Sequence, residues 1–471
     1  VSAVSADLSF DVAVVGGGPG GYVAAIRAAQ LGLRVALVEE KHLGGICLNW
    51  GCIPTKALLK GAEVAHTLHH AQEFGFTVSS WDFDLGRLVK HSRDVSARLS
   101  SGIEYLMKKN GVTVFDARAR LLAKETLELR TASGECSALK AKHIILATGA
   151  RPRTFPSIEP DGERIWTYFE AMVPKELPET LLIVGSGAIG TEFASFYNDL
   201  GVSVTLVEAL DQLLPNEDAE VSRLVSRSLQ KRGIECRVSV RVDSAEVTES
   251  GVCCVITSTD KEPETRTFDR VLLAAGVVGN TEGLGLEDLG VETDGSFIRV
   301  DAWGRTNVVG VYAIGDVSGP PCLAHKASHE ATICVEALAG VEGVHGMDRS
   351  RVPGCTYCRP QIASMGLTEK AARASGRPVQ VGRFDLQANG KALAMADAEG
   401  FVKVIFDEES GELLGAHMVG PEVTEQLQGF GIAQSLEATA EDLGQVVFSH
   451  PTLSEAMHEA VLDAQGRVVH A

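Results

Sequence analysis

Residues 10–40, FDVAVVGGGPGGYVAAIRAAQLGLRVALVEE, decide how this chain folds. FDVAVV is a β-rich run that ends in glycines. GYVAAIRAAQLG carries Ala-rich apolar positions at helical spacing, and LRVALVEE is a second apolar strand ending in acids. The same order returns at 181–208 as LLIVGSGAIG, TEFASFYNDLG and VSVTLVE. The first glycine of each unit precedes its acid by the same distance, 39 − 16 = 23 and 208 − 185 = 23 residues. One strand–turn–helix–strand unit is therefore duplicated within the chain.

The glycines are Gly16, Gly18 and Gly21 in the first unit and Gly185, Gly187 and Gly190 in the second. Glycine permits the tight turn and the close approach of backbone to a pyrophosphate, and the following helix N-terminus offers amides and a favourable dipole. Glu39 and Glu208 are placed to accept hydrogen bonds from a ribose. The spacing implies two dinucleotide sites without saying which nucleotide occupies which. At the second, Glu208 would repel a 2′-phosphate, and Ala209-Leu210-Asp211 supplies no arginine to bind one, so that site is expected to select NAD over NADP.

Outward from these units, HIILATGA at 143–150 and RVLLAAGV at 270–277 each read as a strand closing on a Gly turn, and RPRTFPSIEP at 151–160 reads as a connection. From about 350 the pattern becomes α+β with an antiparallel sheet, and Thr368 is a plausible N-cap. The expected fold is α/β, with two Rossmann-like doubly wound nucleotide-binding domains and a C-terminal α+β interface domain. The boundaries read as 1–150 and 278–349 for a discontinuous first domain, 151–277 for the second and 350–471 for the interface domain.

Composition narrows the class. The 471 residues are 45% hydrophobic with a formal net charge of -19, which argues against nucleic-acid binding, since phosphates need a basic face. No apolar run reaches the length of a membrane span. VSAVSADLSF at the start lacks the pattern of a signal peptide. The 10 cysteines are scattered, so an intracellular chain is expected, cytoplasmic with an organelle matrix not excluded.

GGICLNWGCIPTKALLK at 44–60 is the most informative remaining stretch. Cys47 and Cys52 are five apart, which suits neither a zinc ribbon nor a C-x-x-C pair. Two readings fit: a small redox-active disulfide at the start of a helix whose dipole favours a thiolate, or two buried cysteines. Lys56 lies one helical turn beyond Cys52 on the same face.

The string CLNWGCIPTKALL resembles the active-site signature of the pyridine nucleotide–disulfide oxidoreductases, in their dihydrolipoamide dehydrogenase branch. The resemblance continues through TNVVGVYAIGD (306–316), CLAHKASHE (322–330), ANGKALA, LLGAHMVGPEVTE and HPTLSE (450–455). It implies FAD at Gly16, Gly18, Gly21, Glu39, Gly45, Lys56, Ala119, Gly149, Asp316 and Ala324. It implies NAD at Gly185, Gly187, Gly190, Glu208, Val242 and Gly276. In such a chain Cys47 is the interchange thiol and Cys52 passes electrons to the flavin. His450 takes the substrate thiol's proton, and Glu455 orients the imidazole. Lys56 and Glu192 pair near the flavin. His450 and Glu455 come from a second subunit, so a homodimer is implied, serving a lipoyl-bearing protein, with no metal, nucleic acid or membrane. The implied reaction is dihydrolipoamide plus NAD giving lipoamide plus NADH. A reductase for another disulfide and a scaffold using FAD structurally are the alternatives.

This sequence departs from the family pattern at Ile46, where many members have Thr, and at Gln361, usually Glu. Gly276-Val277-Val278-Gly279-Asn280 replaces the commoner Gly-Arg-x-Pro-Asn, and a chain without the leading lipoyl domain that some members carry is expected. Adjacent Cys253 and Cys254 are expected on opposite faces of a strand. Cys355 and Cys358 are also expected in a strand, and the His69-His70 pair at the surface.

Overall fold

A computed structural model describes residues 9–258 and 261–470. It comprises two compact units. The first holds the described residues through Ala57, with Arg87–Arg153 and Val277–Arg349. The second holds Leu58–Gly86, Thr154–Gly276 and the chain from Ser350 onward.

In the first unit, strand Ser9–Val15 lies parallel to Val35–Glu39 on one side and to Cys136–Leu146 on the other. Val12 to Val15 are all buried, as a strand covered on both faces requires. Ala13 and Val15 face one core and Val12 and Val14 the other, following the two-residue alternation. Thr113–Asp116 extends the sheet, Thr126–Arg130 and Arg118–Ala123 add antiparallel strands, and Val311–Ala313 returns to pair parallel with Cys136–Leu146. That return brings the segment carrying Asp316 back to the first Gly-rich turn. Helix Pro19–Gln30 presents Gly20, Gly21, Ala24, Ala25 and Ala28 as its buried face, and these small residues let it sit close on the sheet and against helix Ala324–Leu338.

The second unit holds a five-stranded parallel sheet in the order Glu235–Arg237, Ser203–Val207, Thr180–Val184, Arg270–Leu273, Ile165–Trp166. An antiparallel three-stranded sheet, Val240–Thr248, Gly251–Ser258 and Lys261–Phe268, sits beside it, a feature that the sequence pattern does not separate from the parallel unit. Cys254 is buried and Cys253 half-buried within it, as alternate faces demand.

The C-terminal part of this unit is a five-stranded antiparallel sheet, ordered Gly354–Thr356, Gln361–Gly366, Leu413–Gly420, Phe401–Asp407, Val379–Asp385, against which helix Glu455–Ala464 packs. Every residue of Phe401–Asp407 is buried, Lys403 included. A buried ammonium needs compensation, and Lys403 has Asp218 at 3.1 Å, Glu220 at 2.7 Å and Glu369 at 2.6 Å. Thr368 caps its helix by accepting from Ala371 N at 3.2 Å. Cys355 and Cys358 do not share a strand. The strand ends at Thr356, and Cys358 lies in the turn that follows, its Sγ 3.1 Å from Pro360 O. The fold class expected from the duplicated units and the C-terminal pattern is the one found. Among the described residues no helix is long and apolar enough to cross a membrane.

Candidate active site

The cysteine segment is built against the first Gly-rich turn. Gly44 N donates to Gly17 O at 2.8 Å, and a Cβ on Gly45 would meet Gly18 Cα at 2.6 Å, so only glycine allows this approach. The two cysteines do not share the start of one helix. Cys47 lies inside the short helix Gly45–Trp50, Gly51 breaks it at φ -147 and ψ -115, and Cys52 opens the long helix Cys52–His69. Three side chains fasten the segment. Asn49 Nδ2 donates to Leu43 O at 3.0 Å and Gly45 O at 2.9 Å. Thr55 Oγ1 donates to Gly51 O at 2.6 Å. Arg93 donates to Asn49 O and lies 4.5 Å over the Trp50 ring.

Cys47 is half-buried and Cys52 exposed. A hydrogen bond with Cys52 and burial push the Cys47 thiol up from its ordinary value, with the Lys56 charge opposing and Asp316 adding to the rise. The two sulfurs therefore face each other, with a cation and a carboxylate close enough to act on them.

Around the first turn, Gly16 has φ 103, and a Cβ there would meet Ala147 O at 2.3 Å; one on Gly21 would meet Gly16 O at 1.8 Å. Glu39 Oε2 accepts from Gly17 N at 2.6 Å. Ala117 N donates to Glu39 O at 3.0 Å, which brings the buried Ala119 strand beside that acid. Gly149 has φ 71 with open space where a Cβ would be. Asp316 sits in the one-turn helix Gly315–Ser318, and Ala324 opens helix Ala324–Leu338.

The second turn repeats the first. A Cβ on Gly185 would meet Ala274 O at 2.6 Å, and one on Gly190 would meet Gly185 O at 1.9 Å. Glu208 is buried; its Oε2 accepts from Ser186 N at 3.0 Å and Ser186 Oγ at 2.9 Å. Val240 N donates to Glu208 O at 2.9 Å, and Val242, two residues on, packs against the same core cluster as Val184 and Ala275. Gly276 has φ 95, and a Cβ there would meet nothing within 4 Å.

Both helices start without a side-chain cap, at Gly18 and Gly187. A Cβ on Gly187 would meet nothing within 4 Å, and one on Gly18 only Gly45 Cα at 3.8 Å. Uncapped amides beneath open space are what a pyrophosphate takes up. The residues present fit a dinucleotide at each turn.

His450 and Glu455 lie together in the second unit. His450 Nδ1 is 2.8 Å from Glu455 Oε1, and Glu455 Oε2 accepts from Thr452 N at 2.9 Å. A carboxylate only accepts, so in the neutral ring Nδ1 carries the proton and Nε2 is left with its lone pair. Burial opposes, but the Thr452 amide and His450 outweigh it and hold the Glu455 carboxyl below its ordinary value. The His450 side chain is 77% exposed. Glu192 is buried, and its Oε1 accepts from Tyr357 N at 2.8 Å, a partner with no signal in the sequence. Lys56 belongs to the first unit and Glu192 to the second. Thr424 Oγ1 donates to Gln361 Oε1 at 2.9 Å, so the amide that stands for the usual acid is bonded.

Sequence reasoning also passes over Lys326, Glu330 and Arg349, which surround the Asp316 turn. The i, i+4 Lys–Glu spacing inside CLAHKASHE is the one signal for them.

Residues 10–331 match the family model for pyridine nucleotide-disulphide oxidoreductases, and residues 352–461 match its dimerisation domain. Curated relatives named dihydrolipoyl dehydrogenase, from Rhizobium etli and Zymomonas mobilis, are each 52% identical over 98% of this chain and 99% of their own length. Among solved structures, LpdA from Mycobacterium tuberculosis has a TM-score of 0.89 at 30% identity, covering 96% of this chain and 98% of that one. The HOCl-induced flavoprotein disulfide reductase RclA from Escherichia coli, as a Cu(II) complex, has a TM-score of 0.86 at 26% identity over 96% and 99%. The chain belongs to the pyridine nucleotide-disulphide oxidoreductase family and is an enzyme of the dihydrolipoyl dehydrogenase type, working with FAD and NAD.

Proposed function

We propose that this enzyme oxidises the dihydrolipoyl group of a lipoyl-bearing protein, with Cys47 and Cys52 as the exchanging pair and NAD as the final acceptor. The observation that carries this reading is the sulfur pair itself, held against the first dinucleotide turn by Gly45 and acted on by the charge of Lys56. FAD is held by the turn of Gly16, Gly18 and Gly21, with Glu39, Ala119, Gly149, Asp316 and Ala324. NAD is held by the turn of Gly185, Gly187 and Gly190, with Glu208, Val242 and Gly276. The division of the chain at 150, 277 and 349 belongs to the same reading.

In the oxidised enzyme a lipoyl thiolate attacks the Cys47 sulfur. The Cys47–Cys52 bond breaks, a mixed disulfide forms, and Cys52 leaves as a thiolate. The second lipoyl thiol gives its proton to Nε2 of His450 and attacks the lipoyl sulfur of the mixed disulfide, closing the lipoyl ring and releasing Cys47. Glu455 holds the imidazole in the tautomer this requires. Two electrons have then moved from the substrate dithiol to the cysteine pair. When bound, FAD supplies a two-electron acceptor for that dithiol and NAD supplies a hydride acceptor.

His450 and Glu455 act from a second copy of the chain, which the match to a dimerisation domain supports. With a net charge of -19, a basic subunit-binding domain of a lipoyl complex is the favoured partner, and its binding weakens as salt rises.

The test is steady-state turnover of the purified flavoprotein with dihydrolipoamide and NAD, alongside NADH-driven reduction of other disulfides. Turnover with dihydrolipoamide, lost in Cys47→Ser, supports the proposal. Turnover only with another disulfide favours the second reading, a disulfide reductase, which the likeness to the RclA structure raises.

A further inference from the structure

The turn that carries Asp316 is fixed almost wholly by three charged side chains that follow it in sequence. Lys326 is 0% exposed. Its Nζ donates to Gly319 O at 2.7 Å and to Gly315 O at 3.1 Å, and lies 3.3 Å from Glu330 Oε1. Glu330 Oε2 accepts from Gly315 N at 2.8 Å and from Ser318 Oγ at 3.4 Å. Its Oε1 accepts from Arg349 Nη2 at 2.8 Å and Nε at 3.0 Å. Arg349 also donates to Ser318 O and to Ser318 Oγ, each at 2.9 Å. Both ends of the turn Gly315–Gly319 are therefore gripped by side chains, and the two acids Asp316 and Glu330 are balanced by two cations.

Within this ring of satisfied groups, the Asp316 carboxylate takes no hydrogen bond among the described residues. Burial pushes its carboxyl up, Glu330 adds to the rise, and the Lys326 charge opposes it. Taking Lys326 away would leave two acids facing one arginine, Gly319 O without its side-chain donor and Gly315 O with only the Ser318 hydroxyl at 2.8 Å, which loosens the turn around Asp316.

We propose that Lys326, supported by Glu330 and Arg349, is a positioning residue that fixes the Gly315–Gly319 turn and so sets the Asp316 carboxylate for the ribityl hydroxyls of FAD. This rests on the assignment of Asp316 to FAD above. It predicts that Lys326 governs flavin retention through Asp316, rather than through the stability of the domain at large.

The experiment is a double-mutant cycle on the full-length holoenzyme with Asp316→Asn, Lys326→Met and both together. Each is read as the rate of FAD release after dilution, followed by the rise in flavin fluorescence, with the far-ultraviolet circular dichroism recorded alongside. Each single variant is expected to release FAD about tenfold faster or more, and the double variant no more than about threefold faster than the worse single. If the two effects multiply, or if Lys326→Met releases FAD at the wild-type rate while Asp316→Asn does not, the proposal is wrong. If Asp316→Asn itself has no effect, the assignment of Asp316 to FAD fails instead, and the proposal with it. Should Lys326→Met not fold, Arg349→Gln serves in its place, since its side chain is partly exposed and only the outer grip is removed. It is expected to release FAD faster, again without multiplying the effect of Asp316→Asn, and an unchanged rate would overturn the role assigned to the network.

Discussion

Glu217 and Glu455 are two carboxylates whose surroundings pull in opposite directions. Glu217 accepts from Ser364 Oγ at 3.1 Å through Oε1, while its enclosed Oε2 has no hydrogen-bond partner among the described residues. Burial pushes its carboxyl up to about 7, the Ser364 hydroxyl opposes, and Asp218 adds to the rise. In the unfolded chain this group loses its proton near the ordinary 4.5, so between there and about 7 the folded state binds the extra proton and stability falls as pH rises. Glu217→Gln is expected to stabilise the protein at pH 8 relative to pH 5, by on the order of 2 kcal/mol. Urea unfolding of both proteins at the two pH values measures this, and an equal shift at both would remove Glu217 as the cause. Glu455 is held the other way and stays an ionised acceptor for His450. Glu455→Gln keeps the shape but offers no charge to the imidazolium. Turnover is expected to fall about 10²-fold, with flavin content and thermal stability unchanged; an active variant would exclude the dyad.

At the scale of elements, the two Gly-rich units are legible because each needs glycine at fixed places for steric reasons. Gly21 and Gly190 each sit where a Cβ would overlap the carbonyl of the first glycine, at 1.8 and 1.9 Å. The middle glycine is different. Gly187 has φ -65, and a Cβ there would touch nothing within 4 Å, so Gly187→Ala should fold normally and obstruct only what approaches the turn. The expected result is a rise of about tenfold in KM for NAD with flavin retained and melting temperature unchanged. A melting temperature that falls with no change in KM would mean the glycine serves the fold alone. The cysteine segment is legible only in part. Its sequence announces the pair, but the break at Gly51 that places Cys47 and Cys52 on separate helices is a backbone event with no periodic signature. The three-stranded sheet Val240–Phe268 escapes the sequence pattern for a related reason: its strands follow directly on the parallel unit, with no linker composition to separate them.

For the molecule as a whole, the order of elements follows from the duplicated unit and the change of pattern near 350. Contacts between residues far apart in sequence do not. Lys326 reads as one more charge on an Ala-rich helix until the return of Val311–Ala313 to the first sheet closes the Asp316 turn over it. Glu192 reads as a helix residue after a Gly-rich turn until Tyr357 N is found on its carboxylate. Residues whose roles rest on local backbone geometry can be read from sequence, while those fixed by long-range charge balance wait for the fold. Electrons are proposed to enter through the Cys47–Cys52 pair from a lipoyl dithiol. Anaerobic titration of the oxidised holoenzyme with dihydrolipoamide, with thiols alkylated at each step and located by mass spectrometry, decides whether they do. Cys47 and Cys52 are expected to become alkylated together as dihydrolipoamide is added, and NAD added before alkylation is expected to return them to the protected state with formation of NADH. Reduction of the flavin by NADH with Cys47 and Cys52 unchanged by dihydrolipoamide would contradict this.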